Sequence, residues 1–108
     1  MGKNNGVEEI SEHEFQEVIS KPIALVDFFA EWCMPCVMMA PVIEELASKL
    51  KQVKFAKVNV DENSNLSQKF KIMSIPCLII FKDGKEAERI IGSQQAEMVE
   101  EKLKKWLK

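Results

Sequence analysis

From Ile23 to Ala30 the chain reads Ile-Ala-Leu-Val-Asp-Phe-Phe-Ala, apolar at every position but Asp27. Without alternation of polar and apolar residues the segment has no side to turn to water, which is how a central strand covered on both faces reads. A strand of that kind needs helices above and below it, so the chain is confined to a layered α/β architecture. Asp27 stands out inside it. A carboxylate in such a strand is desolvated, and its pKa is expected to rise towards the range useful for proton transfer near neutrality.

The flanking segments supply the other elements. Val7 to Ile10 reads as a short strand, and Ser11-Glu12-His13-Glu14 as a capping box ahead of Phe15, Val18 and Ile19 at helical spacing, with an end near Pro22. Val37, Met39, Ile43, Leu46 and Leu50 recur on a helical period from Met34 to Leu50, with Pro35 in the first turn and Pro41 inside. Val53 to Val60 reads as a strand and Asp61 to Lys71 as a short helix. Cys77 to Phe81, an Asp83-Gly84 turn and Ala87 to Ile91 make an antiparallel hairpin. After Gly92 a last helix gathers Val99, Leu103, Trp106 and Leu107 on one face. The order is βαβαβαββα, a single domain over residues 1–108 with residues 1–6 expected to be flexible.

A chain of 108 residues buries enough apolar surface to fold without disulfides or metals, which leaves its cysteines free for chemistry. Fifteen basic and seventeen acidic residues are interspersed, giving a net charge of −2, and nothing in that pattern suits a nucleic acid or an anionic membrane. The first residues lack the apolar stretch of a signal peptide and no run reaches transmembrane length. An odd count of three cysteines also argues against a secreted disulfide framework, so a cytoplasmic location is expected.

Cys33 and Cys36, separated by Met34-Pro35, fall where the apolar strand gives way to the long helix. Unpaired backbone N–H groups and the positive end of the helix dipole favour thiolate over thiol at such a place. Side chains at i and i+3 of a helix stand roughly 5–6 Å apart at Cβ, and a disulfide wants about 3.5–4.5 Å, so modest distortion of a first turn closes the pair. Cys33, nearer the loop, is expected to be exposed and to attack first, and Cys36, a turn deeper, to resolve the mixed disulfide.

Together with Val26-Asp27-Phe28-Phe29-Ala30-Glu31-Trp32-Cys33-x-Pro35-Cys36, the runs Ala40-Pro41, Val58-Asn59-Val60-Asp61, Ile75-Pro76, Phe81-Lys82-Asp83-Gly84 and Gly92 resemble the thioredoxin family in order and spacing, from about Val7 to Leu107. The resemblance implies a thioredoxin fold, with a central mixed sheet of five strands and four helices on its two faces. It implies reduction of disulfides in client proteins, with Cys33 as nucleophile and Cys36 as resolving thiol. It implies Asp27 as the proton acceptor and donor for Cys36, Lys57 as its charged neighbour, and Ile75-Pro76 as a cis-proline loop that pairs with an extended client. Trp32, Met34, Pro35, Ile75, Pro76 and Gly92 are then the client-binding surface. No cofactor beyond the Cys33–Cys36 pair and no metal is implied. The electron donor is of thioredoxin reductase type, and the chain is expected to be a monomer.

Met34 stands where most of that family has glycine, so a different reduction potential and client surface are expected. Cys77 stands where threonine is common and is read as a buried structural thiol. Met38, Met39 and Met73 are read as core filler or rim of the site. Two other classes use the same residues: a metal or iron–sulfur carrier, whose remaining two ligands would have to come from Cys77 and His13 or from the cysteines of a second chain, and a redox-inert docking module.

Overall fold

The computed structural model describes residues 6–107; the expectation of a flexible start falls, for residues 1–5, outside the described residues. The elements are β1 (Val7–Glu9), α1 (Glu12–Ile19), β2 (Ile23–Phe29), α2 (Met34–Lys49), β3 (Lys54–Asn59), α3 (Ser64–Lys69), β4 (Cys77–Lys82), β5 (Lys85–Ile91) and α4 (Ala96–Lys105). They form a five-stranded sheet of order β1-β3-β2-β4-β5, with β4 antiparallel to β2 and β1, β2 and β3 parallel.

The uniform burial of β2 follows from its place at the centre, where alternate side chains feed two separate cores. Ile23 and Leu25 pack with Met39, Ile43 and Leu46 of α2 and Val99 and Leu103 of α4. Ala24, Val26 and Phe28 point to the other face, against Phe15, Val18 and Ile19 of α1 and Leu66 of α3. Phe15, Phe28, Phe70 and Phe81 meet there, with the Phe15–Phe81 rings edge to face at 5.7 Å. Asp27 belongs to the first set by parity, which turns it towards α2.

Local chemistry sets the ends. Ser11 caps α1 as a full capping box, its Oγ accepting from His13 N–H and its own N–H donating to Glu14 Oε1. The helix expected over Asp61–Lys71 is shorter, Ser64–Lys69. Asn59 takes Asp61 N–H on its side chain and Asn63 Nδ2 on its carbonyl, spending those residues on a turn, and Lys71 leaves the helix at φ +53°. The hairpin strand β5 starts at Lys85 rather than Ala87. Asp83 and Gly84 both take positive φ, the two-residue turn that lets Lys82 pair directly with Lys85. In α2, Val37, expected on the core face, is 52% exposed: the buried stripe runs through Cys36, Met39, Ile43 and Leu46, and Val37 lies off it.

Candidate active site

Cys33 is the N-cap of α2. Its backbone is extended, its carbonyl accepts from Val37 N–H at 3.0 Å, and its Sγ accepts from Cys36 N–H at 3.2 Å. Pro35 sits in the first turn, where its missing N–H costs nothing. The sulfur therefore occupies the place where a serine or aspartate oxygen would cap a helix, and negative charge on it is stabilised by the same donor and dipole. Cys33 and Cys36 are joined as a disulfide with Cα atoms 5.2 Å apart.

The expectation of an exposed Cys33 beside a deeper Cys36 is not met: each residue is 4% exposed. Both pack with Ala30, and Phe29, Val60 and Ile75 close over them. What separates the two is their surroundings. Cys33 Sγ lies 3.8 Å from the Ile75 carbonyl oxygen, on the side of the cis Ile75–Pro76 bond. Cys36 lines a cavity of about 300 Å³ whose walls also include Asp27, Lys57, Glu9 and Glu31.

Asp27 and Lys57 are register partners on β2 and β3. Burial pushes the Asp27 carboxyl up to about 7, against the opposing pull of the Lys57 charge. Its Oδ1 is the one fully buried side-chain oxygen or nitrogen without a hydrogen-bond partner among the described residues. Asp27 lines the cavity that Cys36 also lines, and a carboxylate oxygen without a partner has its lone pairs available for a proton. Lys57 is half-buried, with Nζ 5.4 Å from the centre of the Phe29 ring.

The surface around the pair is apolar. Trp32 is 72% exposed, its Nε1 donating to Asp61 Oδ2 at 2.8 Å. Met34, Pro35, Met38 and Met73 are also exposed, whereas Met39 is core. Pro76 is buried, and its carbonyl accepts from Gly92 N–H at 2.8 Å, which ties the residue after β5 to the cis-proline loop. Gly92 adopts φ +89°, a conformation that suits glycine. Sequence reasoning placed Asp61 in a motif without a role; a carboxylate 29 positions from the tryptophan gave no local signal of the contact. Cys77 is buried on β4 opposite Phe28, as expected of a structural thiol.

A cysteine pair capping a helix just past the central strand of a mixed sheet, next to a cis-proline and sharing a cavity with a buried carboxylate, defines a thiol–disulfide oxidoreductase of the thioredoxin fold. A model of the thioredoxin family matches residues 6–105, and the chain belongs to that family, whose members reduce protein disulfides. It is 46% identical over 90 residues to a thioredoxin of Chlamydia pneumoniae, covering 83% of this chain and 88% of that one. With a thioredoxin of Staphylococcus haemolyticus it shares 44% over 99 residues, 91% of this chain and 95% of the other. Among solved structures, a mutant thioredoxin from Halobacterium salinarum superposes with a TM-score of 0.90 at 29% identity, covering 100% of this chain and 96% of that one. The Plasmodium falciparum thioredoxin gives 0.86 at 35%, covering 92% and 98%. The redox group is the intrinsic cysteine pair, and the family generally acts on disulfide-bearing clients and is reduced by a thioredoxin reductase.

Proposed function

We propose that Cys33 is the attacking thiolate, Cys36 the resolving thiol and Asp27 the group that exchanges a proton with Cys36. The observation that carries this assignment is the asymmetry of the pair: the helix-capping N–H is aimed at Cys33 Sγ, while Cys36 is the cysteine that shares a cavity with Asp27 and Lys57. In the reduced protein, Cys33 thiolate attacks one sulfur of a client disulfide. The client's other sulfur leaves as a thiolate and takes a proton from water. The product is a mixed disulfide between Cys33 and the client. Asp27 carboxylate then takes the Cys36 proton, and Cys36 attacks Cys33 Sγ, breaking the bond to the client. The client departs with both sulfurs reduced, and two electrons from the dithiol remain with it.

Lys57 holds the Asp27 pKa down, near working pH rather than far above it. Trp32, Met34, Pro35, Ile75, Pro76 and Gly92 make the client-docking surface, an apolar rim interrupted by backbone groups of the cis-proline loop that an extended client can pair with. The protein acts as a monomeric single domain in the cytoplasm. Supporting that reading, no helix among the described residues is long and apolar enough to cross a membrane, and the third cysteine is buried as a free thiol.

Replacing Cys33 with serine tests the assignment. Reduction of insulin by the protein in dithiothreitol should be abolished, and the Cys36→Ser variant should instead accumulate a mixed disulfide detectable by mass. Unchanged turnover in Cys33→Ser would overturn it. The metal-carrier alternative has little to draw on: no group of three or more His, Cys, Asp or Glu able to hold a metal occurs among the described residues.

A further inference from the structure

Beyond the rim that surrounds the cysteines, a groove of about 640 Å³ runs between α2 and α4. Met38, Met39 and Val42 of α2, Met98 of α4 and the segment Ser93-Gln94-Gln95 between β5 and α4 line it. Met38 is 68% and Met98 45% exposed. No charged side chain lines it, and on α4 Met98 is preceded by Glu97 and followed one turn later by Glu101. We propose that this groove is a client subsite, which receives an uncharged apolar or aromatic side chain of the polypeptide whose disulfide is being reduced.

The occupant follows from continuity with the reaction centre, so the inference rests on Cys33 being the attacking sulfur. In the mixed disulfide the client is covalently held at the start of α2. Met38 lies five residues further along that helix, about 7–8 Å at the helical rise. An extended client covers that distance in about two or three residues. The path is contiguous with the docking rim: Gly92 is hydrogen-bonded to the Pro76 carbonyl, and two residues on, Gln94 N–H donates to Met39 Sδ at 3.4 Å. The segment after β5 that is tied to the cis-proline loop is thus also part of the lining of the groove.

The chemistry of the walls selects what enters. Thioether side chains are unbranched and polarisable, and they mould to apolar side chains of different shape, which suits a protein with many clients. An acidic residue at the same place gains no partner in the lining and approaches Glu97 and Glu101. The groove therefore sorts clients by the residue two or three positions from the attacked cysteine, a criterion separate from access to the disulfide itself.

The test uses synthetic peptides in which one cysteine is disulfide-linked to glutathione and a single phenylalanine or glutamate is walked through the three positions on either side of it. With wild-type protein, kcat/KM for phenylalanine over glutamate should rise about fivefold to tenfold at one of the positions two or three residues away, the worth of partly burying an aromatic ring. Met38→Ser and Met98→Ser, both at exposed positions and checked for fold by circular dichroism, should each bring that ratio down towards the value seen at the other positions. A wild-type ratio that does not depend on position, or one that both variants retain, would overturn the subsite while leaving the dithiol chemistry standing. Failure of wild-type protein to reduce any of the peptides would overturn the assignment of Cys33 and the subsite with it.

Discussion

The indole of Trp32 is tethered to Asp61, its Nε1 donating to Oδ2 at 2.8 Å across 29 positions of sequence. A large apolar ring beside the cysteines is held in one orientation by a carboxylate from the turn after β3. On the proposed docking surface, a client then meets a preset ring and need not spend free energy ordering it. Asp61→Ala should raise KM for a protein disulfide by up to about fivefold, the worth of one ordinary solvent-exposed hydrogen bond. The kcat should stay close to wild type and the tryptophan fluorescence should change. An unaltered KM would mean the tether has no part in docking.

The ionisation of Asp27 couples acidity to stability. With a folded value of about 7 against an ordinary 3.8, the folded state holds a proton that the unfolded state releases. The contribution of this carboxyl is greatest below about 3.8 and falls as pH rises through 7. Asp27→Asn removes the buried charge and should stabilise the oxidised protein by about 2–4 kcal/mol at pH 8 and by little at pH 4. Denaturant titrations at the two pH values check this. Equal effects at both would show that desolvation of the charge is not what the substitution relieves.

Lys57 opposes that shift, so its removal has a predictable sign. Lys57→Met should move the Asp27 inflection in the pH dependence of insulin reduction to higher pH. The same substitution should leave melting of the oxidised protein at pH 5 close to wild type, where Asp27 is protonated in the folded state. A downward move of the inflection would contradict the assigned role of the lysine.

Cys77 is 1% exposed on β4, and burial pushes its thiol up. In the reduced native protein iodoacetamide should modify Cys33 quickly and leave Cys77 untouched until denaturant is added, as peptide mapping by mass would show. Labelling of Cys77 at a rate comparable to Cys33 would refute its structural role. Cys77→Ala should cost about 1 kcal/mol for the space vacated by the sulfur, with redox activity retained.

Much of the molecule was legible along the chain because the signals are local. The unbroken apolar run of β2, the capping box at Ser11 and the Asp83-Gly84 turn each depend on neighbours within a few positions, and each element formed where its own chemistry placed it. The pairing of Cys33 with Cys36 is local in the same sense, since a three-residue spacing and one helix start decide it. The departures at the ends of α3 and β5 came from side-chain turns and turn geometry that compete with simple periodicity.

Sequence by itself determined the order of elements, the redox pair and the presence of a carboxylate within the central strand, because propensity, period and spacing are properties of contiguous residues. The tertiary structure alone decided that both cysteines pack with Ile75 and Val60, that Trp32 is fixed by Asp61, that Asp27 and Cys36 share one cavity and that Met38 and Met98 line one groove. Three of those join residues far apart in the chain, and the fourth, between Asp27 and Cys36, depends on how a strand and a helix pack rather than on their spacing. Burial, dielectric and orientation arise from the packing of whole layers, and no window of sequence contains them.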